Sequence, residues 1–202
     1  MKIFYDTQGD AQYYHETAYL GWQNERQALL GISEGYKEAA DQLVDFAIES
    51  NSRRIKDQFI FPILFNYRHS MEGTLKLIYL RATGSLCGGN HDLLSIWSNI
   101  ENDVINNKLR NANMCPFDVE KLPLSKIKTG LKELQGANFS SNERAAHPQN
   151  DTRADVWRYL MSPQEELYFC QGHWVYYPTL KAGINELYNM LRYLYDEVDE
   201  FL

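Results

Sequence analysis

Between Asp57 and Trp97 the chain reads DQFIFPILFNYRHSMEGTLKLIYLRATGSLCGGNHDLLSIW, and this stretch leaves few folds open. Phe61, Leu64, Phe65, Leu75, Ile78 and Tyr79 give a helix apolar residues over much of its circumference, the pattern of a central helix enclosed by others. Arg68, Glu72 and Lys76 interrupt it at every fourth position, so they share one face, and His69 shares a face with Glu72. Polar groups inside an apolar helix cost free energy unless they are partnered or used. Two readings stand. In one, Glu72 pairs with Arg68 and Lys76 in a charge ladder that fixes helix register. In the other, Arg68 and Lys76 donate to an anion or phosphate while Glu72 holds them in place.

The rest of the chain reads as helices around that centre. A first helix is expected over about residues 10 to 30, burying Ala18, Leu20, Trp22, Leu29 and Leu30. Ser33 is a natural cap for a second, in which Tyr36, Ala39, Ala40, Leu43, Val44 and Ala47 recur at helical spacing before the polar break Ser50-Asn51-Ser52. Asp57 can cap the central helix, with Pro62 in its early turns and Gly84, Gly88 and Gly89 after its end. Asn90 or His91 then starts a fourth helix through Leu93, Leu94, Ile96, Trp97 and Ile100 that fades in the polar run 102–107. Asp92 in its first turn complements the helix dipole.

A shorter amphipathic helix runs between Leu122 and Leu134, with Pro123 near its start and Gly136 as its stop. Residues 136–162 are polar throughout and read as one long loop, and a loop of that length in a compact domain is either functional or disordered. Leu167, Tyr168 and Phe169 opposite Trp174, Val175 and Tyr176 allow a short hairpin about Gln171-Gly172. The last helix, 178–200, is introduced by Pro178 and keeps Leu180, Ile184, Leu187, Leu191, Leu194 and Val198 in phase. The expectation is a single all-α domain over 1–202, a bundle of five or six helices with one long polar loop and room for one hairpin.

Net charge is −7, so a broad basic footprint for nucleic acid is absent and any such contact must be local. An acidic surface suits solubility or a basic protein partner. Cys87, Cys115 and Cys170 are odd in number and widely spaced, which is neither a disulfide framework nor a zinc pattern. With no window approaching a membrane span and no apolar leader at the N-terminus, a cytoplasmic protein without membrane contact is expected. Tyrosine is abundant, 14 residues, enough to serve an interface as well as a core, and homodimerisation through the central and last helices is expected.

Enzyme signatures are missing. The chain has no GxGxxG, P-loop, GxSxG or HExxH, and His69-x-x-Glu72 reverses the order that di-iron bundles use. No metal and no cofactor is expected. His91 reads either as a structural residue at the helix start or as the group that closes the polar stripe from the end of the bundle.

Taken together, Asp57, Phe61-Pro62-Ile63-Leu64-Phe65, Tyr67-Arg68-His69, Glu72, Leu75-Lys76 and His91-Asp92-Leu93-Leu94 before Trp97 resemble a bacterial branch of the HEPN (higher eukaryotes and prokaryotes nucleotide-binding) helical domains. Trp157-Arg158-Tyr159-Leu160 matches in part a later Phe-Arg-Tyr-Pro element of that branch. The clear match spans about forty residues, 57–97. The resemblance implies a helical bundle that pairs through its central helices and works in toxin–antitoxin or antiphage systems, as a metal-independent ribonuclease or as a non-catalytic binder.

The ribonuclease members place a His four to six residues after an Arg. Arg68 abuts His69, two residues separate Arg144 from His147, and nine separate Arg81 from His91, so that pair does not carry over and no catalytic residue is assigned. Three functions remain open: a HEPN-like protein that binds RNA, a nucleotide or a protein partner; a ribonuclease or nucleotide-processing enzyme with a variant site; and an acidic immunity protein or antitoxin against a basic nuclease. The candidate functional residues are Arg68, His69, Glu72, Lys76, His91, Asp92 and Arg158.

Overall fold

Helix α1, Glu25–Glu49, begins where Asn24 Oδ1 accepts the Gln27 amide at 2.9 Å, more than two turns ahead of the expected Ser33. Ser33 lies inside the helix instead. Its hydroxyl turns back onto the Leu30 carbonyl at 3.0 Å, an arrangement a helix tolerates without ending. A single helix thus replaces the expected break at Ser33, and most of residues 10–23 lies outside the described chain. The computed structural model describes residues 15, 16, 18, 21, 24–110, 122–136, 151–159, 161–169 and 172–201.

Helix α2, Arg53–Thr83, is capped by Ser52 and not by Asp57, which instead accepts from Arg53 Nε at 2.9 Å. Pro62 consequently sits well inside the helix, where it removes one internal hydrogen bond. At the other end Gly84 takes the left-handed conformation (φ 73°) and its N–H closes on the Leu80 carbonyl at 2.8 Å. α1 and α2 pack closely along their length, and Gly73 explains how closely: a Cβ there would stand 3.1 Å from Ser33 Cβ. The Ser70 hydroxyl donates to the Ser33 carbonyl at 2.8 Å across the same contact.

Asp92, not Asn90 or His91, caps helix α3, Leu93–Asn99, by accepting the Ser95 amide at 3.0 Å. The polar run 102–107 does not end this helix. Winding widens to a π-helix over Ile100–Leu109, with the Arg110 N–H reaching the Ile105 carbonyl. The wider turn suits the sequence, because Ile100, Val104, Ile105 and Leu109 all reach the core while Asn102, Asn106 and Asn107 stay outside.

Helix α4, Leu124–Gly136, buries Ile127, Leu131 and Leu134, close to the expected bounds. Helix α5, Tyr177–Phe201, supplies Ile184, Leu187, Leu191, Leu194 and Val198 to the same core. Its acidic end is partly consumed: Asp199 accepts from Arg26 at the start of α1 and from Arg81 at the end of α2.

Among the described residues the architecture is an all-α bundle. The expected hairpin does not form there. One isolated bridge joins Met161 to Leu167, and residues 172–176 run into α5 as a strap outside any strand. α2 is enclosed within one chain by α1, α3 and α5, and by Val156 and Trp157 against Leu64. Apart from Phe61, the large apolar side chains of α2 are thus covered at least in part within the chain, whereas α5 keeps Thr179, Ala182, Glu186, Asn189 and Tyr193 outward. No helix among the described residues is long and apolar enough to cross a membrane.

Candidate functional site

Glu72 is the hub of the polar stripe. Its carboxylate is almost fully buried and accepts from Lys76 Nζ at 2.7 Å and from Arg68 Nη1 at 3.4 Å, both one turn away on α2. The glycine turn then brings His91 back over it, Nδ1 lying 2.9 and 3.1 Å from its two oxygens. A carboxylate only accepts, so Nδ1 carries the proton and Nε2 is left as the ring acceptor. Burial pushes the Glu72 carboxyl up, but Lys76 and His91 outweigh it and hold the group below its ordinary range.

Arg68 has no exposed surface and points inward. Nη2 donates to the carbonyl of His91 at 2.6 Å and to that of Asp151 at 2.8 Å, and Nε stands 3.5 Å from Asp151 Oδ2. That last approach is an ion pair without an aligned hydrogen bond, since neither atom has a hydrogen-bond partner. Burial lowers the guanidinium pKa against the opposing pull of Asp151 and Glu72, yet arginine remains charged at neutral pH. One side chain thus ties α2 to the glycine turn and to the segment 151–159. Asp151 is fixed from the other side, its N–H donating to the Gln135 carbonyl at 3.2 Å, while Gln135 Oε1 accepts the Leu94 amide at 3.1 Å.

Outside this tie lies an open groove of about 600 Å³, lined by Gly89, Asn90, His91, Asp92 and Ser95 on one wall and by Thr152, Arg153, Asp155 and Arg158 on the other. Its size falls in the range of small-ligand sites. The second wall is a compact turn. Asp151 Oδ1 accepts the Asp155 amide at 2.8 Å, Ala154 adopts φ 59°, unusual for a residue with a Cβ, and its carbonyl accepts from Arg158 Nε at 2.7 Å. Asp155 takes Arg158 at 2.7 Å and lies 3.4 Å from Arg153, so both guanidinium groups are aimed over one carboxylate at the groove mouth. His91 is half exposed and Arg153 three-quarters exposed, at 50% and 74% of the side chain, which leaves both able to meet a ligand.

Of the seven residues expected from the sequence, the structure brings Arg68, Glu72, Lys76 and His91 into one cluster and places Asp92 and Arg158 on the adjoining groove. His69 diverges. It sits against Tyr36, ring centroids 4.5 Å apart, and stacks on Phe65 at 5.7 Å, and burial lowers its pKa below the ordinary value. Asp151 and Arg153, which complete the tie and the groove, carry no local sequence signal beyond lying at the end of the polar loop.

A second polar cluster has no counterpart in the sequence reading. Lys37, buried in α1, donates to Asp41 Oδ2 and to Asn185 Oδ1 of α5, both at 2.5 Å, and the Tyr67 hydroxyl donates to Asp41 Oδ1 at 2.7 Å. Lys37 Nζ also lies 5.8 and 5.5 Å from the ring centres of Tyr67 and Tyr188. Asn185 also lines an open groove along α5 together with Pro178, Gly183 and Tyr193.

Among the described residues no group of three His, Cys, Asp or Glu side chains is arranged to hold a metal ion. No family model, no curated protein and no solved structure matches the chain.

Proposed function

We propose that this chain is a HEPN-like helical protein of a toxin–antitoxin or antiphage system that acts by binding a phosphate-bearing ligand, RNA or a nucleotide, in the groove beside His91. The observation that supports this reading is the division of labour between neighbouring charges. Arg68 and Glu72 are spent on protein partners and hold the walls together, while His91, Arg153 and Arg158 face a groove of ligand size. Arginines of fixed direction and a half-exposed imidazole are suited to phosphate oxygens. The net charge of −7 confines such binding to this local site and excludes a broad electrostatic footprint.

A second reading has its own observation. A buried carboxylate on Nδ1 of a half-exposed His, which leaves Nε2 as the acceptor, is the arrangement a general base needs. On this reading Nε2 of His91 takes a proton from a ribose 2′-hydroxyl and the arginines hold the phosphate, giving a metal-independent ribonuclease with a variant site.

One experiment tests both. A fluorescein-labelled single-stranded RNA is titrated with the full chain in EDTA, followed by anisotropy and by a denaturing gel. Binding that weakens about tenfold in both Arg153→Ala and Arg158→Ala, with intact RNA on the gel, supports the binding protein. Cleavage that disappears in His91→Ala selects the enzyme. No binding at about 50 mM salt, where phosphate contacts are strongest, removes both.

A further inference from the structure

We infer that the face around Trp174 is a docking surface for an acidic segment of a partner protein that presents a large apolar side chain. Trp174 is 79% exposed and Tyr176 71%, and both belong to the strap 172–176 that leads into α5. The guanidinium of Arg53, at the start of α2, lies 4.1 Å from the Trp174 ring centroid, a cation–π contact. A large exposed aromatic beside an arginine is the composition that carries most of the binding energy in protein interfaces.

The strap has a cavity on each side, and the two share Trp174, Val175 and Tyr176. On the α2 side, about 390 Å³ is bounded by Arg53, Lys56, Asp57 and His173 together with Ile48 and Ile60. On the α5 side, about 440 Å³ is bounded by Leu64, Leu134, Trp157, Ile184 and Leu187 and by one carboxylate, Glu133, a mainly apolar slot with room for a leucine- or phenylalanine-sized side chain. A segment crossing the strap would meet an apolar slot and a polar, basic one within a few residues of each other.

Charge selects the occupant. Arg53 shares Asp57, whereas Arg54 and Lys56 form no ion pair among the described residues. The first turn of α2 is therefore basic in excess on a chain whose net charge is −7. Acidic side chains answer that excess, and an apolar anchor answers the slot. A single-stranded nucleic acid has phosphates for the basic turn and bases for the exposed rings, but no aliphatic anchor for the slot. None of these residues lines the groove at His91, so this surface stands whether or not that site binds RNA.

The test is selection of random peptides displayed on phage against the immobilised full chain, followed by anisotropy of the enriched peptide. The expected consensus places acidic residues next to Leu, Phe or Trp. Trp174→Ala and the double variant Arg53→Glu/Lys56→Glu should each weaken the enriched peptide at least about tenfold with unchanged circular dichroism. Lys128→Ala, on α4, should bind normally. No enrichment, a consensus without acidic residues, or affinity indifferent to both variants overturns the inference. So does displacement of the peptide by single-stranded RNA, which would make the face a nucleic-acid surface. A Trp174-dependent dimer in light scattering would overturn it too, by making the face a self-association surface.

Discussion

Arg68 and Lys37 are both buried cations that fix α2 against a neighbour, yet they are wired in opposite ways. Arg68 lies on α2 itself, finds Glu72 one turn along its own helix, and donates through Nη2 to backbone carbonyls of two loops. Lys37 reaches α2 from α1, through Asp41 to the Tyr67 hydroxyl, and it also grips Asn185 of α5. The first cluster shapes loops and opens onto a groove. The second joins three helices and is sealed by tyrosine rings. Function is expected beside the first because loops can be positioned for a ligand without disturbing the core, whereas helices locked on all sides cannot.

The largest effect should come from Arg68→Ala. It leaves Glu72 and Asp151 facing each other's vicinity without their shared cation, and loss of one partner from a buried ion pair costs about 3–5 kcal/mol. Urea unfolding checks this, and a cost under about 1 kcal/mol would mean that the guanidinium does not hold the loops. Arg68→Lys should not restore stability, because one ammonium cannot reach both carbonyls and both carboxylates.

In the sealed cluster Lys37→Ala should cost less, about 1.5–3 kcal/mol, the usual worth of hydrogen bonds to a charged group. Should it cost more than Arg68→Ala in the same assay, the two clusters have been ranked the wrong way round.

Acid and alkali should weaken the bundle through different buried groups. His69 is held below its ordinary 6.5 by burial, and Glu72 below its ordinary 4.5 by Lys76 and His91 despite its burial. In both cases the unfolded chain takes up the proton first as pH falls, so stability drops from about pH 6.5 downward and again below about 4.5. Tyr67 is raised above its ordinary 10 by burial and by Asp41, so the unfolded phenol ionises first and stability declines as pH climbs past 10. His69→Gln should remove the upper acid step alone, and Tyr67→Phe the alkaline one. Midpoints in urea across pH 4 to 11 would show whether the steps separate by variant.

The smallest stability effects belong at the groove rim. His91→Ala and Lys76→Ala should each change stability by no more than about 1 kcal/mol, since both side chains are partly exposed. RNA binding, in contrast, should be lost in His91→Ala. Variants that melt several degrees lower while the folded fraction binds normally would assign the rim to the tie and empty the groove of function.

How much of this was legible follows from the distance over which each signal acts. Arg68, Glu72 and Lys76 could be placed on one face because helical spacing alone does it, and the short glycine turn limited how far His91 could stray. Asp151 lies 83 residues from Arg68, and Asn185 lies 148 from Lys37, so nothing local announces either partner. The errors at Ser33 and Asp57 share one cause. A side chain able to cap a helix can also bond back within it or pair one turn on, and only the start of the apolar contact with a neighbour decides which occurs. His69 misled for a related reason: facing Glu72 along the helix did not stop it from turning toward Tyr36 and Phe65.

The π-wound stretch Ile100–Leu109 reaches beyond its own packing. Its winding is set by where the apolar side chains fall and not by the best backbone geometry, so its amides have the least to lose by opening. A slip of one residue toward α-winding would carry Asn107 or Lys108 to the core face. Lys108 meanwhile holds the Ala82 carbonyl at 2.5 Å, at the last turn of α2. In deuterated water the amides of 101–109 should therefore exchange well before those of 63–78, and the end of α2 should lose protection in step with them rather than with its own centre. Lys108→Met would uncouple the two clocks, leaving the π-wound amides as fast as before while the end of α2 exchanges on its own schedule.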